Sequence, residues 1–142
     1  MKTIIIIPSR MASTRFPGKP LANIVGIPMI QRVWQQAINS KIGDVYVACS
    51  ENEVYDLIKR NGGNAILTNP NLPSGTDRIY SAFQQIHNSS EIEYIINLQG
   101  DMPLINPSHI KKVIEPLKYN YSLGTLATSL EKNDIMDSNV TK

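Results

Sequence analysis

A single cysteine, Cys49, stands in 142 residues. It cannot close an internal disulfide, which excludes a disulfide-stapled scaffold and fits a reducing compartment. Alone, it reads as a small apolar strand residue. No apolar run approaches the length of a membrane span, so membrane insertion is not expected. The N-terminus shows no basic region followed by a long apolar stretch and a small-residue cleavage site. No secretory signal is read there, and a cytoplasmic location is the default expectation. Zinc-type spacing, an RNP-like aromatic motif and a polybasic tail are all missing, which argues against a nucleic-acid partner. Acid is missing too, but only locally: residues 1–43 contain no Asp or Glu.

That same segment holds Lys2, Arg10, Arg15, Lys19, Arg32 and Lys41, a charge of +6, while the remainder sums to −4. A basic first third in a chain of net charge +2 points to a local anion site rather than a general polyanion surface. Apolar residues make up 42% and charged residues 18% of the chain, ordinary for one globular domain of this length.

Strand and helix signals alternate. Thr3–Ile7 is a continuous β-branched run, the pattern of a strand buried on both faces. A helix is predicted over 28–42, with Pro28 in its first turn and Ile30, Val33, Trp34, Ala37 and Ile38 at helical spacing. Asp44–Ala48 reads as a strand, Glu51–Asn61 as a helix stopped by Gly62 and Gly63, and Asn64–Leu67 as a strand. A helix follows over 76–87, then a strand at Tyr94–Leu98. Asn106 caps a helix opened by Pro107, which Pro116 should shorten or kink. Leu123–Leu130 reads as a fifth strand, with a helical turn at Asp134–Met136. The polar end "EKNDIMDSNVTK" is open to two readings, an exposed tail or a fold interrupted before completion. Repeated β–α units of this length predict an α/β fold: a mostly parallel, Rossmann-like sheet with helices on both faces. Ligands of such sheets sit beyond the carboxyl ends of the strands.

The loop after the first strand, "PSRMASTRFPGKP", is where a dinucleotide-binding fold would take phosphate. It is neither GxGxxG nor a Walker A loop. What it offers is Arg10, Arg15 and Lys19 on a proline-stiffened stretch, cations able to neutralise phosphate oxygens. A solvated basic loop is the alternative. In "LQGDMP", Asp101 is left at the carboxyl edge of a strand after a glycine turn, a position suited to Mg²⁺, which takes one or two carboxylates plus substrate phosphates. A turn or capping aspartate is the alternative. In "SGTDR", Thr76 or Asp77 could cap the next helix, or the segment could offer hydroxyls, a helix N-terminus and Arg78 to a nucleotide. His87 and His109 read as surface residues on helical polar positions.

In order and spacing, "IIPSRMASTRFPGKPL" at 6–21, "GIPMIQRV" at 26–33, "PSGTDRI" at 73–79 and "NLQGDMPLI" at 97–105 resemble the 3-deoxy-manno-octulosonate cytidylyltransferases, the CMP-KDO synthetases. The first motif is the specific one, and the similarity runs over essentially the whole chain. The resemblance implies a nucleotide-diphospho-sugar-transferase-like fold. It also implies an enzyme joining CTP and the sugar acid KDO into CMP-KDO, with release of pyrophosphate, for lipopolysaccharide synthesis. It assigns Arg10, Arg15 and Lys19 to the triphosphate as the catalytic cations and Asp101 to Mg²⁺. Pro8, Ser13, Ser74, Gly75 and Arg78 would lie against the nucleotide and Gln99 near the sugar. The full-length family is homodimeric.

Three departures from the family pattern stand out. Met102 occupies the place of a usual glutamate. Ala48-Cys49-Ser50 replaces Ala-Thr-Asp. Family members also continue well past residue 142, with a second metal-binding aspartate and most of the sugar site. Residues 1–142 are therefore expected to be the CTP-binding portion of such a domain, truncated at its C-terminal end and of little activity alone. A nucleotidyltransferase for another sugar acid, such as sialic acid, and a catalytically silent nucleotide-binding module are the alternatives.

Overall fold

The computed structural model describes residues 2–12 and 16–129. Strand β1 (Thr3–Ser9) is buried along its whole length. After the basic loop, one turn of 3-10 helix (Lys19–Leu21) leads into a two-stranded antiparallel ribbon, β2 (Asn23–Ile24) and β3 (Ile27–Pro28). Helix α1 (Met29–Ser40), strand β4 (Val45–Cys49), helix α2 (Asn52–Arg60), strand β5 (Asn64–Leu67) and helix α3 (Gly75–Phe83) follow. Strand β6 (Tyr94–Asn97) and the short helix α4 (Pro107–Lys112) complete the regular elements, with a 3-10 segment at Glu115–Tyr119.

The main sheet has four strands in the order β5-β4-β1-β6, every pairing parallel. The chain builds outward from β1 to β4 and β5, then returns to add β6 on the other side of β1. The order therefore reverses between β1 and β6, the point where doubly wound sheets open a crevice.

Alternation along β1 explains the two-sided core. Ile5 and Ile7 point to one face, where they pack with Ile30, Val33 and Ala37 of α1, Val54 and Ile58 of α2, and Ile110 of α4. Ile4 and Ile6 point to the other, against Ile79 and Ala82 of α3. Each fully buried isoleucine contributes about 1.5–3 kcal/mol through apolar surface removed from water. The β-branched run is thus buried on both faces, as its composition predicts. Cys49 lies in the first of these clusters, fully buried.

Some expectations need correction. Leu123–Leu130 does not form a strand over 123–129, and Leu130 lies outside the described residues, as does the expected turn at Asp134–Met136. The reason is local. Asn120 adopts a left-handed conformation (φ 63°) after the 3-10 segment, and Gly124 packs onto the Val113 carbonyl and Pro116. The stretch is held against this turn instead of against a sheet edge, and Leu123 stays 84% exposed. Helix α3 ends at Phe83 instead of running to 87, so His87 sits in a turn. Helix α4 stops at Lys112, and Pro116 opens the 3-10 segment, the shortening expected of it.

Candidate active site

A cleft of about 620 Å³ opens at the carboxyl ends of β1 and β6. From the end of β1 and the following loop come Pro8, Arg10 and Lys19. The first turn of α3 brings Ser74, Gly75 and Arg78, and the β6 edge brings Gln99 and Asp101. Eight of the ten candidate residues therefore line one cavity. The other two, Ser13 and Arg15, lie outside the described residues.

Local structure explains how each wall is held. Gly18 takes a left-handed conformation (φ 72°), which favours glycine, and its N–H donates to the Met11 carbonyl at 3.0 Å. That bond brings the two ends of the basic loop together and starts the 3-10 turn that carries Lys19. Lys19 Nζ reaches across the cleft to Asp101 Oδ2 at 2.8 Å. Gly100 is required for a different reason, close approach: a Cβ there would stand 2.8 Å from the Pro8 carbonyl oxygen and 3.3 Å from Ile30 Cδ1. The glycine of "QGD" thus lets the β6 edge lie directly against the end of β1.

Ser74, not Thr76 or Asp77, caps α3. Its hydroxyl accepts from the Asp77 N–H at 3.1 Å and donates to Asp77 Oδ2 at 2.5 Å. Gln99 donates through Nε2 to Asn97 Oδ1 at 2.8 Å. Arg78 is the surprise, because its side chain is almost wholly buried, at 2% exposure. Nη1 donates to Thr68 Oγ1 at 2.5 Å and to the Asn69 carbonyl at 3.3 Å, and Nη2 has no partner. Burial pushes its pKa below the ordinary arginine value; the Glu51 carboxylate opposes this, and nearby Arg10 adds to it.

Among the described residues, three cations (Arg10, Lys19 and Arg78) and one carboxylate (Asp101) line the cleft, so it is net positive. The other N-terminal cations are not all part of this site. Arg32 donates to the Ile24 and Val25 carbonyls and fixes the β2–β3 turn, while Lys2 pairs with Glu91 at 2.7 Å. No group of three or more His, Cys, Asp or Glu that could hold a metal occurs among the described residues. A lone, half-exposed carboxylate does not make a protein cage. It does fit a hard divalent cation that arrives already bound to phosphate oxygens. Met102 is 43% exposed and does not line the cleft. Ser9, Phe16 and Leu72 do line it, though sequence reasoning singled out none of them.

A net-positive cleft at the switch point of a parallel sheet is the place where nucleotide-binding α/β proteins take their ligands. The comparisons narrow this. The family model for cytidylyltransferase matches residues 4–142, and the chain belongs to that family. It is 42% identical over 132 residues to the 3-deoxy-manno-octulosonate cytidylyltransferase of Paramagnetospirillum magneticum, covering 92% of this chain and 54% of that protein. It is 45% identical over 139 residues to the enzyme of the same name from Rickettsia canadensis, covering 96% of this chain and 57% of that one. Among solved structures, a CMP:2-keto-3-deoxy-manno-octonic acid synthetase complexed with CTP superposes with a TM-score of 0.78 at 36% identity, over 87% of this chain and 50% of the other. A nucleotidyl transferase from Methanothermobacter thermautotroptrophicus, 13% identical with a TM-score of 0.68, shares the fold. The resemblance read from the motifs is borne out, as is the α/β fold class. The chain spans about half the length of the curated relatives it matches.

Proposed function

We propose that this chain is the nucleotide-binding portion of a CTP:KDO cytidylyltransferase. The observation that carries this is the convergence of Arg10, Lys19, Arg78 and Asp101 on one cleft, in a chain 36% identical to a synthetase solved with CTP. In the reaction, the anomeric hydroxyl of KDO attacks the α-phosphorus of CTP. A new P–O bond forms, the bond from the α-phosphorus to the bridging oxygen breaks, and pyrophosphate leaves.

Arg10 and Lys19, with Arg15, hold the triphosphate and meet the charge that grows on the leaving pyrophosphate, the positioning and electrostatic logic of phosphoryl transfer. Pro8, Ser13, Ser74, Gly75 and Arg78 frame the nucleotide, and Gln99 faces the sugar acid. Asp101 would hold Mg²⁺, which when bound neutralises phosphate charge. As in the family, the complete enzyme would be a homodimer in the cytoplasm. Among the described residues, no helix is long and apolar enough to cross a membrane. A sialic acid substrate is not favoured, because the curated relatives are named for 3-deoxy-manno-octulosonate.

A second reading is a module that binds nucleotide without turnover. Pyrophosphate release from the purified 142-residue chain with CTP, Mg²⁺ and KDO separates the two. Turnover removes the silent module. CTP binding with no release supports it. Failure to bind CTP at all overturns both.

A further inference from the structure

Two side chains of opposite charge each keep one atom buried and without a hydrogen-bond partner: Arg78 Nη2 and Glu51 Oε2. Both atoms are closed off from solvent, so neither faces the cleft. Arg78 Nη1 is satisfied by Thr68 Oγ1 and the Asn69 carbonyl. Glu51 stands at the start of α2 and accepts from Ser50 Oγ through Oε1 at 2.7 Å, while Oε2 is buried.

Buried polar atoms are nearly always satisfied, and a buried charge is costly unless another charge offsets it. The two oxygens that hold Arg78 Nη1 are neutral. Arg10, on the cleft side, adds repulsion. The Glu51 carboxylate attracts: its charge acts on Arg78 and on Cys49, although it stands beyond ion-pair distance of the guanidinium. Coulomb attraction falls only with the first power of distance and is weakly screened away from solvent. Ser50, beside Glu51, stands where the family pattern carries an aspartate. The carboxylate this chain lacks at position 50 is thus present one residue on.

We propose that Glu51 is a positioning residue of this site: its inward carboxylate is the counter-charge that fixes the Arg78 guanidinium, and with it the first turn of α3 that presents Ser74 and Gly75 to the nucleotide. This rests on the nucleotide reading above. Glu51 does not itself line the cleft, so it acts through Arg78.

Urea unfolding of the parent chain, Glu51→Gln, Arg78→Met and the double variant tests this, alongside CTP titration of the parent and Glu51→Gln. Glu51→Gln keeps the shape and removes the charge. In the parent it is expected to lower the folding constant about tenfold and CTP affinity about threefold. In Arg78→Met it should leave the folding constant unchanged. Ser50→Asp added to Glu51→Gln should recover both losses, and Ser50→Asn neither. Where Arg78→Met does not fold, failure of Ser50→Asp to recover more than Ser50→Asn overturns the proposal. An unchanged or raised folding constant in Glu51→Gln overturns it too, as an uncompensated buried carboxylate would then have been relieved. Equal losses in both Arg78 backgrounds assign the carboxylate to the N-terminus of α2 and overturn the counter-charge. A folding loss with CTP affinity unchanged overturns the positioning role and leaves the nucleotide reading standing. A parent chain that does not bind CTP overturns the nucleotide reading and the positioning role with it, while the folding cycle still reads the Glu51–Arg78 coupling.

Discussion

Lys19 Nζ and Asp101 Oδ2 stand 2.8 Å apart across the cleft, so the expected phosphate cation pairs with the expected metal carboxylate. Both side chains are about half exposed, at 40% and 51%. Solvent screens such a pair to roughly 0–1 kcal/mol, little enough for a ligand to displace. Triphosphate alone would draw Lys19 away and leave Asp101 repelling the anion. A divalent cation alone would have to compete with Lys19. Bound together, they satisfy both residues. Nucleotide and Mg²⁺ should therefore bind with positive coupling. Asp101→Asn is expected to abolish most of the increase in CTP affinity that Mg²⁺ gives, while Mg²⁺-free CTP binds as well or better. Lys19→Met should weaken CTP about tenfold or more with little change in melting temperature. Calorimetry with and without Mg²⁺ reads both. An unchanged Mg²⁺ enhancement in Asp101→Asn would remove Asp101 from the metal.

Gly100 couples the same site to the fold. A methyl group at this position would press on the Pro8 carbonyl at 2.8 Å, a backbone atom of β1 that cannot swing aside. Gly100→Ala is expected to cost about 1–3 kcal/mol by overpacking and to separate the two rims that carry Pro8 and Asp101. Urea unfolding measures the first effect and CTP titration the second. Unaltered stability would mean the β6 edge yields more readily than its packing implies.

Cys49 supplies a pH dependence. Burial pushes its thiol from an ordinary 9.0 up to about 12, with the Glu51 carboxylate adding to the rise. The folded chain therefore holds the thiol proton more tightly than the unfolded chain. The contribution is fully present below pH 9 and is lost as pH climbs towards 12. Denaturant midpoints should fall across that window, and part of the fall should vanish in Cys49→Ala. Native Cys49 should also resist alkylation near neutral pH and react once unfolded. Rapid labelling of the native chain would contradict its burial.

What was legible in the sequence follows physical range. β1 could be read because burial on both faces leaves a local signature in Ile4 to Ile7, and α1 because Ile30, Val33 and Ala37 repeat at its period. The β2–β3 ribbon could not. Its strands are two residues each, too short for any period, and its turn depends on Val25 at φ 48° and on an Asn23 side chain accepting from Gly26 N–H at 2.6 Å. The strand expected at Leu123–Leu130 had a strand-like composition, but over 123–129 it finds no partner, and pairing is a property of two segments and not of one. Thr76 and Asp77 were the caps the sequence offered for α3, and only the folded geometry gives the role to Ser74. The motifs brought Arg10, Lys19 and Asp101 into view. The Lys19–Asp101 pair joins residues 82 apart, and no local pattern encodes it. Ser9 escaped because only the fold brings the end of β1 to the wall of the cleft.

Arg78 is buried in the first turn of α3. Its guanidinium ties the start of α3 to Thr68 and to the Asn69 carbonyl. Thr68 in turn donates to the Cys49 carbonyl at the end of β4. No carboxylate lies within ion-pair distance of Arg78 among the described residues, so hydrogen bonds rather than a salt bridge hold the charge. Arg78→Ala would leave Thr68 Oγ1 and the Asn69 carbonyl short of a donor and remove a buried side chain. A loss of about 2–4 kcal/mol is expected, larger than a surface arginine would show. Arg78→Lys keeps the charge but not the planar fork, and should recover only part of it. Because Thr68 and Arg78 touch, Thr68→Val combined with Arg78→Ala should cost less than the two single losses added, by about 0.5–3 kcal/mol. Urea unfolding of the four proteins closes the cycle. Strict additivity would show that the two side chains do not act through each other.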